Sequence, residues 1–155
     1  MRKKAIFIFL SLFILCSGFF CLMACDVYSD AVERGKYKRS TADLISLSNA
    51  IHIYADENQK VPEVQSLEEL GKILVPFYMR KFLGKDQWGN RFFYKKTGEK
   101  SFLVGCAGGD ERFEGFDQEG TYSEHEIKGQ DIIITYKKLV YGPEEYLKRR
   151  WFKTE

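Results

Sequence analysis

Two histidines and four cysteines are the only imidazole and thiol groups in this 155-residue chain, and their neighbours argue against catalysis. His52 lies between Ile51 and Ile53, one step off an apolar helical stripe, and reads as a flank residue rather than a base. His125, between Glu124 and Glu126, could join a metal site, yet no second histidine accompanies it. Cys106 closes the apolar run Phe102-Leu103-Val104-Gly105-Cys106 with no adjoining basic residue, the setting of an inert core thiol. The chain has no H-E-x-x-H and no G-x-S-x-G, and Gly105, Gly108 and Gly109 lack the spacing of a phosphate loop. The 22 carboxylates permit a paired-acid hydrolase by composition alone, and nothing else supports one. No enzyme is expected.

The remaining cysteines cluster at the N-terminus. Arg2, Lys3 and Lys4 precede the uncharged residues 5–24, the layout of an export signal. Cys25 follows Leu22-Met23-Ala24, which resembles the lipobox of bacterial lipoproteins. Cys16 and Cys21 follow the bulky Leu15 and Phe20. The resemblance implies that Cys25 becomes an acylated first residue, since acyl chains contribute about 0.8 kcal/mol per buried methylene and several of them anchor durably. The alternative is an uncleaved helix, because 20 uncharged residues could just cross a hydrocarbon core of about 30 Å. Loss of a 24-residue leader leaves 131 residues, in which 21 basic side chains face 22 acidic ones. Such a near-neutral chain lacks the basic footprint of a nucleic-acid binder. With 45% hydrophobic and 15% aromatic residues, it also has ample material for one core.

A helical front and a strand-rich back must position whatever site exists. Leu44, Leu47, Ile51 and Tyr54 recur at helical spacing, and residues 29–58 contain no proline, so a long amphipathic helix is predicted to end before Pro62. Its first part, with Lys36, Lys38 and Arg39, reads as a polar stalk. Ser66 and Glu69 form a capping box for a short helix over 67–74, ended by Pro76. Ten of the 13 glycines lie from Gly84 onward, between apolar runs of strand length. Strands are predicted at 91–95, 102–106 and 132–136, with a fourth around 138–141, and the first two are joined as a hairpin. The expected fold is α+β: the long helix packed on an antiparallel sheet of three to four strands. The tail from Pro143 suits a short helix, with Trp151 and Phe152 packing back on the domain.

The order of parts resembles the soluble domain of the major, G-type pseudopilin of type II secretion systems. The resemblance rests on Asp56-Glu57-Asn58 with Val61-Pro62, on Asp86-Gln87-Trp88-Gly89-Asn90 with Tyr94, and on Gly108-Gly109-Asp110 and Asp131-Ile132. It runs over residues 41–143 and implies a pilin-like fold, a structural role and secretion-system or pilus-like partners. Read for themselves, Trp88 can bury its ring, Gly89 can take a backbone angle other residues resist, and Asn90 can bond local backbone, all beside Asp86. Family members bind calcium in the loop after the second strand. The resemblance therefore implies a calcium site, with Asp110 and Asp131 at the matching acidic positions, and Asp117 in the same acidic loop offers a further ligand; this is chemically sensible because calcium takes six to eight hard oxygens, and the alternative is a solvated acidic loop. Two departures stand out: Glu111 replaces the family's glycine after Asp110, and the loop over 114–130 is longer. Pilin-type subunits also carry a leader cut before Phe and a Glu at the fifth mature position, whereas here Met23 stands four residues after Phe19.

The organisation expected is a signal peptide over 1–24, a membrane-proximal stalk over 25–40, the pseudopilin-like domain over 41–143 and a tail over 144–155. The function expected is a non-enzymatic lipoprotein of the bacterial cell envelope, its domain outside the cytoplasm, acting near a secretion or pilus-like apparatus. A free-standing lipoprotein enzyme or ligand-binding module on the same fold is the alternative.

Overall fold

The computed structural model describes the backbone of residues 2–123 and 126–147 and the side chains of residues 27–123 and 126–146. Cys25, His125, Trp151 and Phe152 lie outside the described side chains. The chain forms two compact units, residues 1–33 and 34–155. In the first, the described side chains of Val27, Tyr28 and Val32 are exposed. The second holds all the sheet and both shorter helices. Among the described residues, no helix is long and apolar enough to cross a membrane.

Helix α1 spans Arg2–Asn58. Within the second unit Tyr37, Leu44, Leu47, Ile51 and Ala55 are among its buried side chains and recur at intervals of seven, three, four and four along one face. The apolar stripe thus begins at Tyr37, inside the stretch that reads as a stalk. The helix ends where Gln59 turns into left-handed backbone at φ 61°, a position glycine more often holds. Helix α2, Leu67–Leu74, is capped by Ser66, whose Oγ accepts the Glu69 N–H at 3.2 Å. Glu69 Oε2 returns the bond to the Gln65 N–H at 2.9 Å, one residue earlier than a standard capping box. Leu70 and Leu74 are buried, and the extended Val75 before Pro76 ends the helix.

The sheet has five strands: β1 Phe93–Lys96, β2 Phe102–Cys106, β3 Gly120–Tyr122, β4 Ile132–Thr135 and β5 Lys138–Pro143, in the order β1-β2-β4-β5-β3. All pairs are antiparallel except β3 with β5. Three to four antiparallel strands were expected, so β3 is the correction. Gly-Thr-Tyr carries no apolar alternation and becomes a strand only because Gly142 and its neighbours on β5 offer free edge groups to it. At the other edge, residues 91 and 92 precede β1 rather than belonging to it: Arg91 makes an isolated bridge to Lys85. Helix α3, Glu144–Leu147, follows Pro143 directly.

Period-two alternation sorts the central strands. Phe102, Val104 and Cys106 share a face with Ile132 and Ile134, since Val104 opposes Ile134 and Cys106 opposes Ile132. These side chains join the α1 stripe in one core. The opposite face carries a row that crosses the sheet from Phe93 through Gly105 and Ile133 to Tyr141. Gly105 is the low point of that row, where a Cβ would come within 2.9 Å of the Phe113 ring. Phe113 therefore lies directly on the strand, stacked on Phe93 with ring centroids 4.0 Å apart.

Between β2 and β3, a 3-10 turn at Gly108–Asp110 starts the long loop. Gly108 has φ 69°, and a Cβ there would stand 2.3 Å from the Gln130 carbonyl oxygen and 2.5 Å from Tyr37 Oη. Gly115, at φ 113°, has nothing within 4 Å of the equivalent point. Gly108→Ala should therefore cost more than about 3 kcal/mol, combining strain and overlap with backbone. Gly115→Ala should cost about 1 to 2 kcal/mol from strain alone. Equal losses for the two variants in denaturant titrations would show that Gly108 is not the close contact described.

Candidate functional site

Residues 84–92 form a tight loop whose parts converge on Asp86. Gly84 and Phe92, Lys85 and Arg91, and Asp86 and Asn90 face one another across it, the Asp86 N–H donating to the Asn90 carbonyl at 2.8 Å and the Phe92 N–H to the Gly84 carbonyl at 3.1 Å. Asp86 is buried, and its Oδ1 accepts the N–H groups of Trp88 and Asn90, each at 2.9 Å. Gly89 supplies the left-handed step at φ 96°. Asn90 Nδ2 reaches Asp86 Oδ2 at 3.3 Å and the Gly108 carbonyl at 3.1 Å. One side chain thus ties the turn to itself and to the exit of β2.

The turn docks on α1 through Lys36, Tyr37, Ser40 and Asp43. Trp88 meets Tyr37 edge-on with centroids 4.6 Å apart, and Lys36 Nζ stands 5.6 Å from the indole. Ser40 Oγ accepts the Gln87 N–H at 3.0 Å, and Asp43 Oδ2 accepts Gln87 Nε2 at 3.0 Å. Tyr37 does more than face the indole: its hydroxyl donates to the Gln130 carbonyl at 3.1 Å and accepts the Gly109 N–H at 3.3 Å. Burial pushes the phenol far above its ordinary pKa, so it acts here as a neutral donor and acceptor. Tyr37, Ser40 and Asp43 are the partners that sequence reasoning missed. The signal for Tyr37 was present, because it stands seven residues before Leu44 on the same stripe.

The acidic loop is organised around a second buried carboxylate. Asp131 Oδ2 accepts the Glu114 N–H at 2.8 Å and Gln118 Nε2 at 2.6 Å, while Oδ1 is enclosed and has no hydrogen-bond partner. Desolvation, helped by the charges of Glu114 and Asp110, raises the Asp131 carboxyl above its usual range despite those two bonds. Asp110 Oδ1 accepts the Arg112 N–H at 3.0 Å. Asp117 points into solvent, with a 99% exposed side chain 3.9 Å from Lys95 Nζ. The three aspartates expected as calcium ligands are therefore not gathered into one group. Among the described residues, no three His, Cys, Asp or Glu side chains converge to hold a metal ion. As arranged, this donor set does not fit a calcium cage.

The groups with catalytic potential are used structurally. His52 Nε2 pairs with Asp56 at 3.2 Å, and its ring stacks on Tyr136 at a centroid distance of 3.4 Å. Cys106 is fully buried, and desolvation, with Asp86 nearby, pushes its thiol far above the reactive range. Tyr94, raised to about 12 by burial, donates its hydroxyl to the Pro62 carbonyl at 2.7 Å. What the cluster does chemically is hold α1, β2 and the loop before β4 at one point.

Glu111 takes left-handed backbone at φ 65°, where the related pattern has glycine. Glu111→Gly should stabilise the chain by about 0.5 to 1 kcal/mol by relieving that strain, and Glu111→Ala should not; a Gly variant no more stable than the Ala variant in chemical unfolding would refute the account. Asp86 and Asp131 both have folded pKa values raised above 3.8, so the native chain holds their protons more tightly than the unfolded one. Their contribution to stability is present below the unfolded pKa and is lost as pH rises through the folded one. Asp131→Asn should consequently gain on the wild type as pH climbs above about 4, a trend that unfolding free energies measured across that range would reveal or exclude.

A family model described as Type II secretion system (T2SS), protein G matches residues 28–124, well over half of the chain. No curated protein and no solved structure matches. The matched stretch takes in the stripe of α1 from Tyr37, helix α2, the Asp86 turn, β1, β2, β3 and Asp110, and stops short of Asp131 and of β4 and β5. With the long helix laid on the sheet and the Trp88 turn clasped between them, the chain belongs to the type II secretion system protein G family.

Proposed function

We propose that this chain is a non-enzymatic, membrane-anchored component of a secretion or pilus-like apparatus, held at the cell envelope by acyl chains on Cys25 with its α+β domain outside the cytoplasm. A secretion-related structural role comes with the family. The observation that carries the finer reading is the coincidence, in one chain, of Leu22-Met23-Ala24-Cys25 with the pseudopilin-like body. Removal of residues 1–24 with acylation of Cys25 would take away the apolar segment that pilin-type subunits polymerise through. The domain would then act beside the fibre, at its base or on its assembly machinery, rather than as a repeating subunit. Support for the absence of catalysis is that His52, Cys106 and the buried tyrosines are each committed to packing or hydrogen bonding.

The anchor is tested by labelling cells with radioactive palmitate. The wild-type chain should take up label and sediment with membranes, and Cys25→Ser should lose both properties. Unchanged labelling of the variant removes the anchor from this reading. The apparatus is tested separately by deleting the chain from its host: export of secreted proteins should fall while their cytoplasmic synthesis continues, and normal export would reject the role.

A further inference from the structure

The loop from residue 107 to 119 is the segment in which the family resemblance places a calcium ion, and its geometry in this chain points elsewhere. We infer that the loop is fixed without calcium, by an internal clasp in which the Gln118 amide and the Glu114 N–H bind the Asp131 carboxylate, laid over an aromatic stack on the outer face of the sheet.

Three observations carry this. First, Asp131 Oδ2 already receives two N–H donors, at 2.6 and 2.8 Å, which present their positive ends to the oxygen as a cation would. A calcium ion competing for that atom would have to displace both. Second, the acids that would complete a calcium shell are otherwise disposed: Asp110 Oδ1 caps the Arg112 N–H, and Asp117 lies out in solvent beside Lys95. The partnerless Asp131 Oδ1 is one donor, whereas calcium needs six to eight. Third, the loop has an apolar fastening of its own. Phe113 stacks on Phe93, sits on the bare backbone of Gly105, and takes the edge of Phe116 at 4.8 Å between centroids. Lys95 Nζ lies 6.0 Å above Phe116. The stack anchors one side of the loop and the clasp the other, with Glu114 and Gly115 between Phe113 and Phe116. The inference concerns this loop alone and stands whether or not Cys25 carries lipid.

The test uses thermal melts of the full chain, in chelator and in millimolar calcium chloride. The wild-type midpoint should be the same in both, because a ligand that binds the native state must raise it. Gln118→Ala should lower the midpoint by about 3–6 °C in both media, and Gln118→Glu should lower it further at neutral pH in chelator, since it sets a second carboxylate against Asp131. A wild-type midpoint that rises with calcium and falls on chelation would overturn the inference, as would Gln118 variants that melt with the wild type in chelator.

Discussion

A sheet that carries Phe102, Val104, Cys106, Ile132 and Ile134 on one face cannot leave that face in water, and the rest of the fold follows from how it is covered. The cover is the face of α1 from Tyr37 to Ala55. Each large side chain removed from solvent contributes about 1.5 to 3 kcal/mol, so the helix and the sheet are stable only together. This mutual dependence explains why the polar fastenings gather at one end of the contact. A greasy surface fixes that two layers meet, and hydrogen bonds of defined length fix where. Tyr37 serves both purposes, with its ring against Trp88 and its hydroxyl bridging the Gln130 carbonyl and the Gly109 N–H.

The motif that carries the family resemblance in this chain is a fastening. Asp86 folds the turn onto itself, Gly89 permits its tight step, Asn90 ties it to β2 and Trp88 to α1. Their value to a structural component is rigidity: surfaces on α1 and on the sheet keep a constant relation only if the two layers cannot slide. Of the three non-glycine residues with left-handed backbone among the described residues, Lys137 lies between β4 and β5, and Gln59 and Glu111 stand at the end of α1 and at the start of the acidic loop. At Gln59 and Glu111 the strain, of order 1 kcal/mol, is tolerated because the flanking segments are pinned, the one by the Val61 N–H bonding the Glu99 carbonyl, the other by the Asp131 clasp.

Elements with a local code were legible. The end of α1 at Asn58, the Ser66 cap of α2, β2 over Phe102–Cys106 and the start of β4 at Ile132 all follow from residues within a few positions of each other, through spacing, capping and β-branching. The turn at 86–90 belongs with them, because Asp, Gly and Asn at those intervals bond their own backbone. The illegible parts depend on residues far apart in the chain. Strand β3 exists through the free edge of β5, twenty-one residues along in register from Gly120 to Tyr141. Tyr37 joined the core rather than the stalk because Trp88 and Gln130 come to meet it. Asp117 and Asp131 are both acids of one stretch of sequence, yet one is exposed to solvent and the other buried, a difference that no charge pattern encodes.

Residue types and their spacing alone determined the class of this protein: a long amphipathic helix, a glycine-punctuated sheet, a core thiol at Cys106, and a Trp-Gly-Asn turn with the stamp of a known family. Each of those rests on interactions within a turn or a strand, where the chain's own connectivity supplies the neighbours. Tertiary structure alone decided which acids are buried, which face of β2 receives Phe113, and that an amide from Gln118 rather than a solvent-facing aspartate meets Asp131. Those outcomes depend on which distant segments arrive at the same place and on what burial then does to a charge, and neither is written in the order of residues along the chain.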